Sequence, residues 1–266
     1  MRTIALRSSA PGFDRPLIFL HLPKTAGTTV SFVVRRHIDS TRDHLLRSVD
    51  GPDGLAKFKA TPEAFRHRIH LLRGHQVFGL HEYLAPGARY LTVLRDPVAR
   101  LVSHYRYVKA TKHPMFIDAI RSEQMSLYNY VTSGLSGELE NGQTRWLAGI
   151  HDDRPLVGSD LQLAIKNIDE HFAWVGIQER LEESLVELGL AMRWLRVDYR
   201  SRNVSGGQPS PPDAAVIAAI RDRNALDLEL HQQMEARLDA RGRIATTGRR
   251  GAATVLQAIS GRRRTP

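Results

Sequence analysis

Two apolar runs in the first hundred residues each end in a polar loop and are followed by apolar residues at helical spacing. Leu17-Ile18-Phe19-Leu20-His21-Leu22 leads through Pro23 to Gly27 into Val30, Val33, Val34 and Ile38. The run has the character of a strand buried on both faces, and the positions after it, three and four apart, predict a helix. Tyr90-Leu91-Thr92-Val93-Leu94 repeats the pattern, passing through Arg95-Asp96-Pro97 into Val98, Leu101, Val102, Tyr105 and Val108. Asp96 is placed to cap that helix and Pro97 to begin it.

The remaining elements follow the same reasoning. Residues 40–70 read as helical and loop-like, Ile69 to Leu72 as a strand ending at Arg73-Gly74-His75, and Ala173 to Ile177 as another short buried strand. Leu181, Leu185, Leu188, Met192 and Leu195 share one predicted helix face. A Gly/Pro/Ser-rich loop from Ser201 to Pro212 precedes a long helix expected over 213–240. Strands alternating with helices define an α/β fold with a parallel sheet covered on both faces, and no internal repeat is present.

Length and composition fit one domain: 266 residues, 42% hydrophobic and 25% charged, are the proportions of a globular α/β chain. The expected division is a leader over 1–15, a catalytic-size domain over 16–240 and a basic, flexible tail over 241–266. The tail carries seven arginines and no acid, so a net charge of +10 for the chain leaves only +3 for the rest. Such a tail is open to nucleic acid, acidic glycan or a membrane surface, but a solvated end is the simpler reading, and no nucleic-acid partner is expected. The absence of cysteine excludes disulfides, thiolate catalysis and Cys-based zinc sites. No run of about 18 apolar residues and no signal-peptide pattern is present, so a soluble, cytoplasmic protein without a membrane span is expected, which argues against a Golgi-type arrangement.

The two strand–loop–helix units carry the candidate chemistry. A strand that stops at Leu22 and opens a helix near Gly27 directs free backbone N–H groups and the positive helix end, about half a charge, toward one point. Gly27 allows close approach, Lys24 adds a cation, and Thr25, Thr28 and Thr29 add hydroxyls. A Walker A loop places its Lys after the last Gly, whereas Lys24 precedes Gly27 here, which disfavours ATP hydrolysis. Arg95 stands at the carboxyl end of the second strand, where open α/β sheets bind ligands. Ser103 lies about two helical turns further on, on a face with Arg100 and Tyr107; an arginine fork with a hydroxyl suits a terminal phosphate. Taken alone, Arg95-Asp96-Pro97 is equally a capped helix start.

Together, Leu-Pro-Lys-Thr-Ala-Gly-Thr-Thr at 22–29 and Leu-Arg-Asp-Pro-Val-x-Arg-Leu-x-Ser-x-Tyr at 94–105 resemble the 5′-phosphosulfate and 3′-phosphate segments of sulfotransferases that use PAPS, 3′-phosphoadenosine 5′-phosphosulfate. The likeness is to the carbohydrate branch that includes heparan sulfate 2-O- and 6-O-sulfotransferases, in patches from residue 17 to residue 235. It implies a P-loop-like three-layer α/β sandwich. It implies PAPS as donor, with Lys24, Thr25, Ala26, Gly27, Thr28 and Thr29 as the 5′-side loop and Arg95 and Ser103 as the 3′-phosphate clamp. Asn141 to Gly149 and Val175 to Leu185 resemble further family segments without an assigned role, and the loop around Arg202 to Gly207 matches loosely.

An acceptor hydroxyl must lose a proton as it attacks sulfur, and a neutral His is best poised to take it. Among twelve histidines, His75 follows a predicted strand and resembles the family's Gly-His base segment. Arg73 stands where the 2-O pattern has a second His. His21 and His104 read as packing residues, and His81 with Glu82 as a weaker alternative base. No spacing suggests a metal, and sulfuryl transfer does not require one. The expectation is therefore a sulfotransferase acting on a carbohydrate or small-molecule hydroxyl, with His75 and Lys24 catalytic and adenosine 3′,5′-bisphosphate (PAP) as product. The rivals are a P-loop-type nucleotide kinase and a basic, non-catalytic module binding glycan or nucleic acid.

Overall fold

A computed structural model describes residues 2–5, 14–46, 51–111, 125–199 and 211–247. Residues 201–210 of the expected loop and 248–266 of the expected tail lie outside these residues, as do residues 6–13 of the expected leader. Seven strands are described: β1 (Arg2–Ala5), β2 (Leu17–Leu20), β3 (Asp43–Leu46), β4 (Leu71–Gly74), β5 (Arg89–Leu94), β6 (Phe172–Ile177) and β7 (Arg196–Tyr199). The helices are α1 (Gly27–Arg35), α2 (Gly51–Ala60), α3 (Glu63–Arg66), α4 (Pro97–Thr111), α5 (Leu127–Thr132), α6 (Gly142–Ala148), α7 (Gly158–His171), α8 (Leu181–Ala191), α9 (Ala214–Arg223) and α10 (Ala225–Thr247).

Five strands form one sheet in the order β3-β4-β2-β5-β6, every pair parallel. Alternate residues of β2 enter opposite layers, which is why the run reads as apolar throughout. Ile18 and Leu20 join Leu72, Tyr90 and Leu94 beneath α6, α7 and α10. Leu17 and Phe19 join Leu91, Val93 and Trp174 against Val30, Val33 and Val34 of α1 and Leu185, Leu188 and Met192 of α8. The result is the expected three-layer sandwich. A satellite core joins α4, α5 and α9 through Leu101, Val108, Tyr130 and Ile220.

Four features differ from expectation. The strand β3 falls in a stretch read as helix and loop, because Asp43-His44-Leu45-Leu46 is too short and polar to show a period. It is held instead by Arg73, which donates to Asp43 at 2.7 and 3.1 Å, and by Arg35 at 2.7 Å. Within the expected leader, Arg2–Ala5 pairs antiparallel with β7. The long C-terminal helix is broken at Asn224, whose buried amide donates to the carbonyls of Leu139 and Ile220 at 3.1 and 3.0 Å. Leu195 lies beyond the end of α8 and is 65% exposed, whereas Leu185 is fully buried.

That contrast is testable by denaturant unfolding. Leu185→Ala is expected to cost about 2–5 kcal/mol, and Leu195→Ala no more than about 0.5 kcal/mol. Equal losses would contradict the packing described.

Candidate active site

Because all five strands of the main sheet run parallel, the residues that follow β2, β4, β5 and β6 gather on one sheet edge. They are His21 to Thr29, His75, Arg95 and Glu179. Chain direction across the sheet reverses at β2, between β4 on one side and β5 on the other, where open α/β sheets form a ligand crevice.

The loop after β2 is held in an unusual backbone conformation. Lys24 and Ala26 have φ of 67° and 66°, the left-handed region that L-residues rarely adopt. Ala26 is also the residue preceding α1 and supplies no side-chain cap; the Thr29 N–H turns back to the Ala26 carbonyl at 2.9 Å. Left-handed backbone beside a helix start without a side-chain cap is an anion-binding geometry. The Thr25 hydroxyl is buried and donates to the Leu22 carbonyl at 2.9 Å, so it closes the loop. Thr28 is exposed, and Thr29 is buried. Gly27 is needed for a close approach, but the approaching group is a protein side chain: a Cβ there would stand 1.9 Å from the His21 ring.

Arg95 joins this loop to β5. Its guanidinium donates to the Lys24 carbonyl at 2.9 Å, and its Nε, 3.9 Å from Glu179, is buried without a hydrogen bond among the described residues. Its backbone is fixed on both sides by Gln143, which accepts from Arg95 N–H at 2.9 Å and donates to its carbonyl at 2.8 Å. Gln143 opens α6, where buried Asp227 of α10 accepts from the N–H groups of Gln143 and Thr144 at 3.1 and 2.7 Å. The expected cap is present: Ala99 N–H donates to Asp96 Oδ1 at 2.8 Å. Along α4, Arg100 is buried against Glu138, while Tyr107 carries the Lys24 ammonium 4.2 Å above its ring. Half-buried Ser103, one turn before Tyr107, lies on the same side of the helix. Burial lowers the pKa of Lys24, and Arg95 lowers it further; burial lowers that of Arg95 too, against the pull of Glu179.

His75 follows β4. Its ring stacks on His21 at 4.3 Å and meets Trp146 edge-on at 6.2 Å, and its Nδ1 is buried without a hydrogen-bond partner among the described residues. Burial lowers its pKa, partly opposed by a hydrogen bond with the His21 backbone. Two further histidines named from the sequence, His104 and His81, are committed elsewhere. His104 is buried, 2.7 Å from the Tyr130 hydroxyl and 3.3 Å from Glu138. His81 pairs with the Tyr90 hydroxyl at 3.0 Å and meets the His171 ring at a tilt, 4.4 Å between centroids, rather than pairing with Glu82. Among the described residues no cluster of His, Cys, Asp or Glu could hold a metal.

Sequence reasoning quoted the segments holding Gln143 and Glu179 without giving them a role, since both act through tertiary contacts. Glu179 accepts from Asp96 N–H at 3.2 Å and meets His231 at 3.2 Å. His231 borders a cleft of about 480 Å³ shared with Asp96, Arg221, Leu228, Gln232 and Glu235.

A parallel-sheet α/β sandwich with this loop after its first parallel strand defines a P-loop-like protein. The family model for galactose-3-O-sulfotransferase matches residues 2–265, and the chain belongs to that family. The chain is 27% identical to galactose-3-O-sulfotransferase 3 of Bos taurus over 262 residues, 87% of the chain and 58% of that protein. The corresponding Mus musculus protein is 26% identical over 280 residues, 92% of the chain and 61% of the relative. The Homo sapiens one is 27% identical over 270 residues, 87% of the chain and 58% of the relative. The chain thus spans about three-fifths of the length of these relatives. The expected likeness to carbohydrate sulfotransferases holds, while its narrower placing with the heparan sulfate 2-O and 6-O enzymes is not confirmed. The expected cytoplasmic location is contradicted, because galactose-3-O-sulfotransferases are Golgi-resident type II membrane enzymes. No helix among the described residues is long and apolar enough to cross a membrane.

The Glu179–His231 pair gives a pH test. Burial alone would lower the pKa of His231, but Glu179, then Glu235 and Asp96, outweigh it and raise it. A raised folded value means that the pair stabilises the fold fully below about pH 6.5, and that this is lost as pH rises through the folded value. In urea unfolding, His231→Gln should therefore be more damaging at about pH 5.5 than at about pH 9; the reverse order would contradict the pairing.

Proposed function

We propose that the protein is a sulfotransferase that moves a sulfuryl group from PAPS to a glycan hydroxyl, the acceptor being the galactose 3-hydroxyl that the relatives' names specify. The hydrogen bond from Arg95 to the Lys24 carbonyl carries this reading, because it joins two anion-binding features on one sheet edge. PAPS presents a 5′-phosphosulfate and a 3′-phosphate. The left-handed loop and the helix start without a side-chain cap suit the first, and the partly buried guanidinium suits the second. On this reading Lys24, Ala26, Gly27, Thr28 and Thr29, with the backbone of Thr25, surround the phosphosulfate, and Arg95 with Ser103 clamps the 3′-phosphate.

His75 takes the proton of the acceptor hydroxyl as that oxygen bonds to sulfur. The bond from sulfur to the bridging phosphate oxygen breaks, and PAP departs with the electron pair. Lys24 and the loop N–H groups stabilise the charge growing on the bridging oxygen. Burial keeps His75 unprotonated at neutral pH and ready to accept.

The test is transfer from labelled PAPS to a galactose-terminated oligosaccharide. His75→Ala should lower kcat by about 10²–10⁴ and leave PAP affinity nearly unchanged. Arg95→Ala should weaken PAP binding by roughly tenfold to a hundredfold, the worth of a charged hydrogen bond. The acid limb of kcat/KM should fall below about pH 6.5, the ordinary histidine value. Full turnover by His75→Ala would remove the base, and unchanged PAP affinity in Arg95→Ala would remove the clamp.

A further inference from the structure

His21 is the first residue after β2, and its ring fills the space between two parts of the proposed site. Its N–H donates to the Gly74 carbonyl at 3.0 Å, which extends the β2–β4 pairing and sets it beside His75. The ring stacks on His75 at 4.3 Å with 28° between planes. Another part of it lies over Gly27, the first residue of α1, where even a methyl group would meet it at 1.9 Å. Phe19 supports it from within the sheet at 5.4 Å.

The charged groups facing this ring are Lys24 from the loop and Arg73 from β4, with His75 as the titratable neighbour. Burial first, and then His75, Arg73 and Lys24 in that order, push the His21 pKa down to about 3, so the ring stays neutral while His75 gains and loses a proton. A second charge therefore does not arise beside the base.

We infer that His21 is a positioning residue: its ring is the spacer that sets the His75 imidazole against the start of α1 and closes one face of that imidazole to water. This rests on the reading of His75 as the base. It makes Gly27 a requirement of the base as well as of the phosphate loop, because any side chain there would drive the spacer into His75.

The test follows His75 directly by NMR in the full chain with ¹³C-labelled histidine rings, its resonance assigned by its loss in His75→Ala. In His21→Ala the exposed imidazole should titrate at a higher pH, toward the ordinary value of about 6.5, and the acid limb of kcat/KM should move with it. Turnover should fall on the order of tenfold to a hundredfold through misplacement of the base. His21→Phe, which keeps a planar cover, should hold the His75 titration near its wild-type position. A His75 titration unmoved by His21→Ala, or moved equally by His21→Phe, would overturn the inference. The NMR readout needs no turnover: an inactive wild-type protein counts against the sulfotransferase reading, and an unmoved titration against His21.

Discussion

The left-handed backbone at Lys24 and Ala26 is the constraint on which the site depends. Each such residue costs on the order of 1–3 kcal/mol, so the conformation persists only where its surroundings over-determine it. Here they do so from four directions. Thr25 donates to Leu22 inside the loop, Arg95 donates to the Lys24 carbonyl from β5, His21 pairs with Gly74 of β4, and the His21 ring seats on Gly27. The parallel sheet supplies the anchoring strands, and α1, packed through fully buried Val30, Val33 and Val34, supplies the fixed helix start.

A second chain of contacts fixes Arg95 from the opposite layer. Asp227 caps α6, Gln143 at its start grips the Arg95 backbone like a neighbouring strand, and Glu179 and His231 approach from β6 and α10. A buried polar group left unpaired is costly, and among the described residues the Arg95 Nε is one such donor inside an otherwise paired network, the group that the proposed 3′-phosphate would satisfy. The network's effect is that the guanidinium is placed by three elements distant in sequence. Trp146 in α6 meanwhile reaches the His75 ring, so one short helix touches both Arg95 and the proposed base.

Much of this was legible in the sequence, and the parts that were not share a physical cause. Strands β2 and β5 showed as continuous apolar runs because both their faces are buried, and the start of α4 showed through Asp96 and Pro97. The turn from β2 into α1 showed through the apolar run ending at Leu22 and the helical spacing from Val30, and the family through two ordered motifs. Strand β3 did not show, because its stability comes from Arg35 and Arg73 reaching Asp43. The break at Asn224 was hidden because its neighbours keep helical spacing and only its contact with Leu139 reveals it. His21 read as a packing residue, which it is, but a sequence cannot say that it packs between the loop and His75.

The most direct test of the central claim, that this sheet edge holds a nucleotide with a 3′-phosphate, is calorimetric titration of the purified chain with PAP, 5′-AMP and ATP at one fixed, moderate salt concentration. The account predicts that PAP binds tightly and that 5′-AMP, lacking the group for Arg95, binds far more weakly. A preference for ATP over PAP, or equal binding of PAP and 5′-AMP, would contradict it.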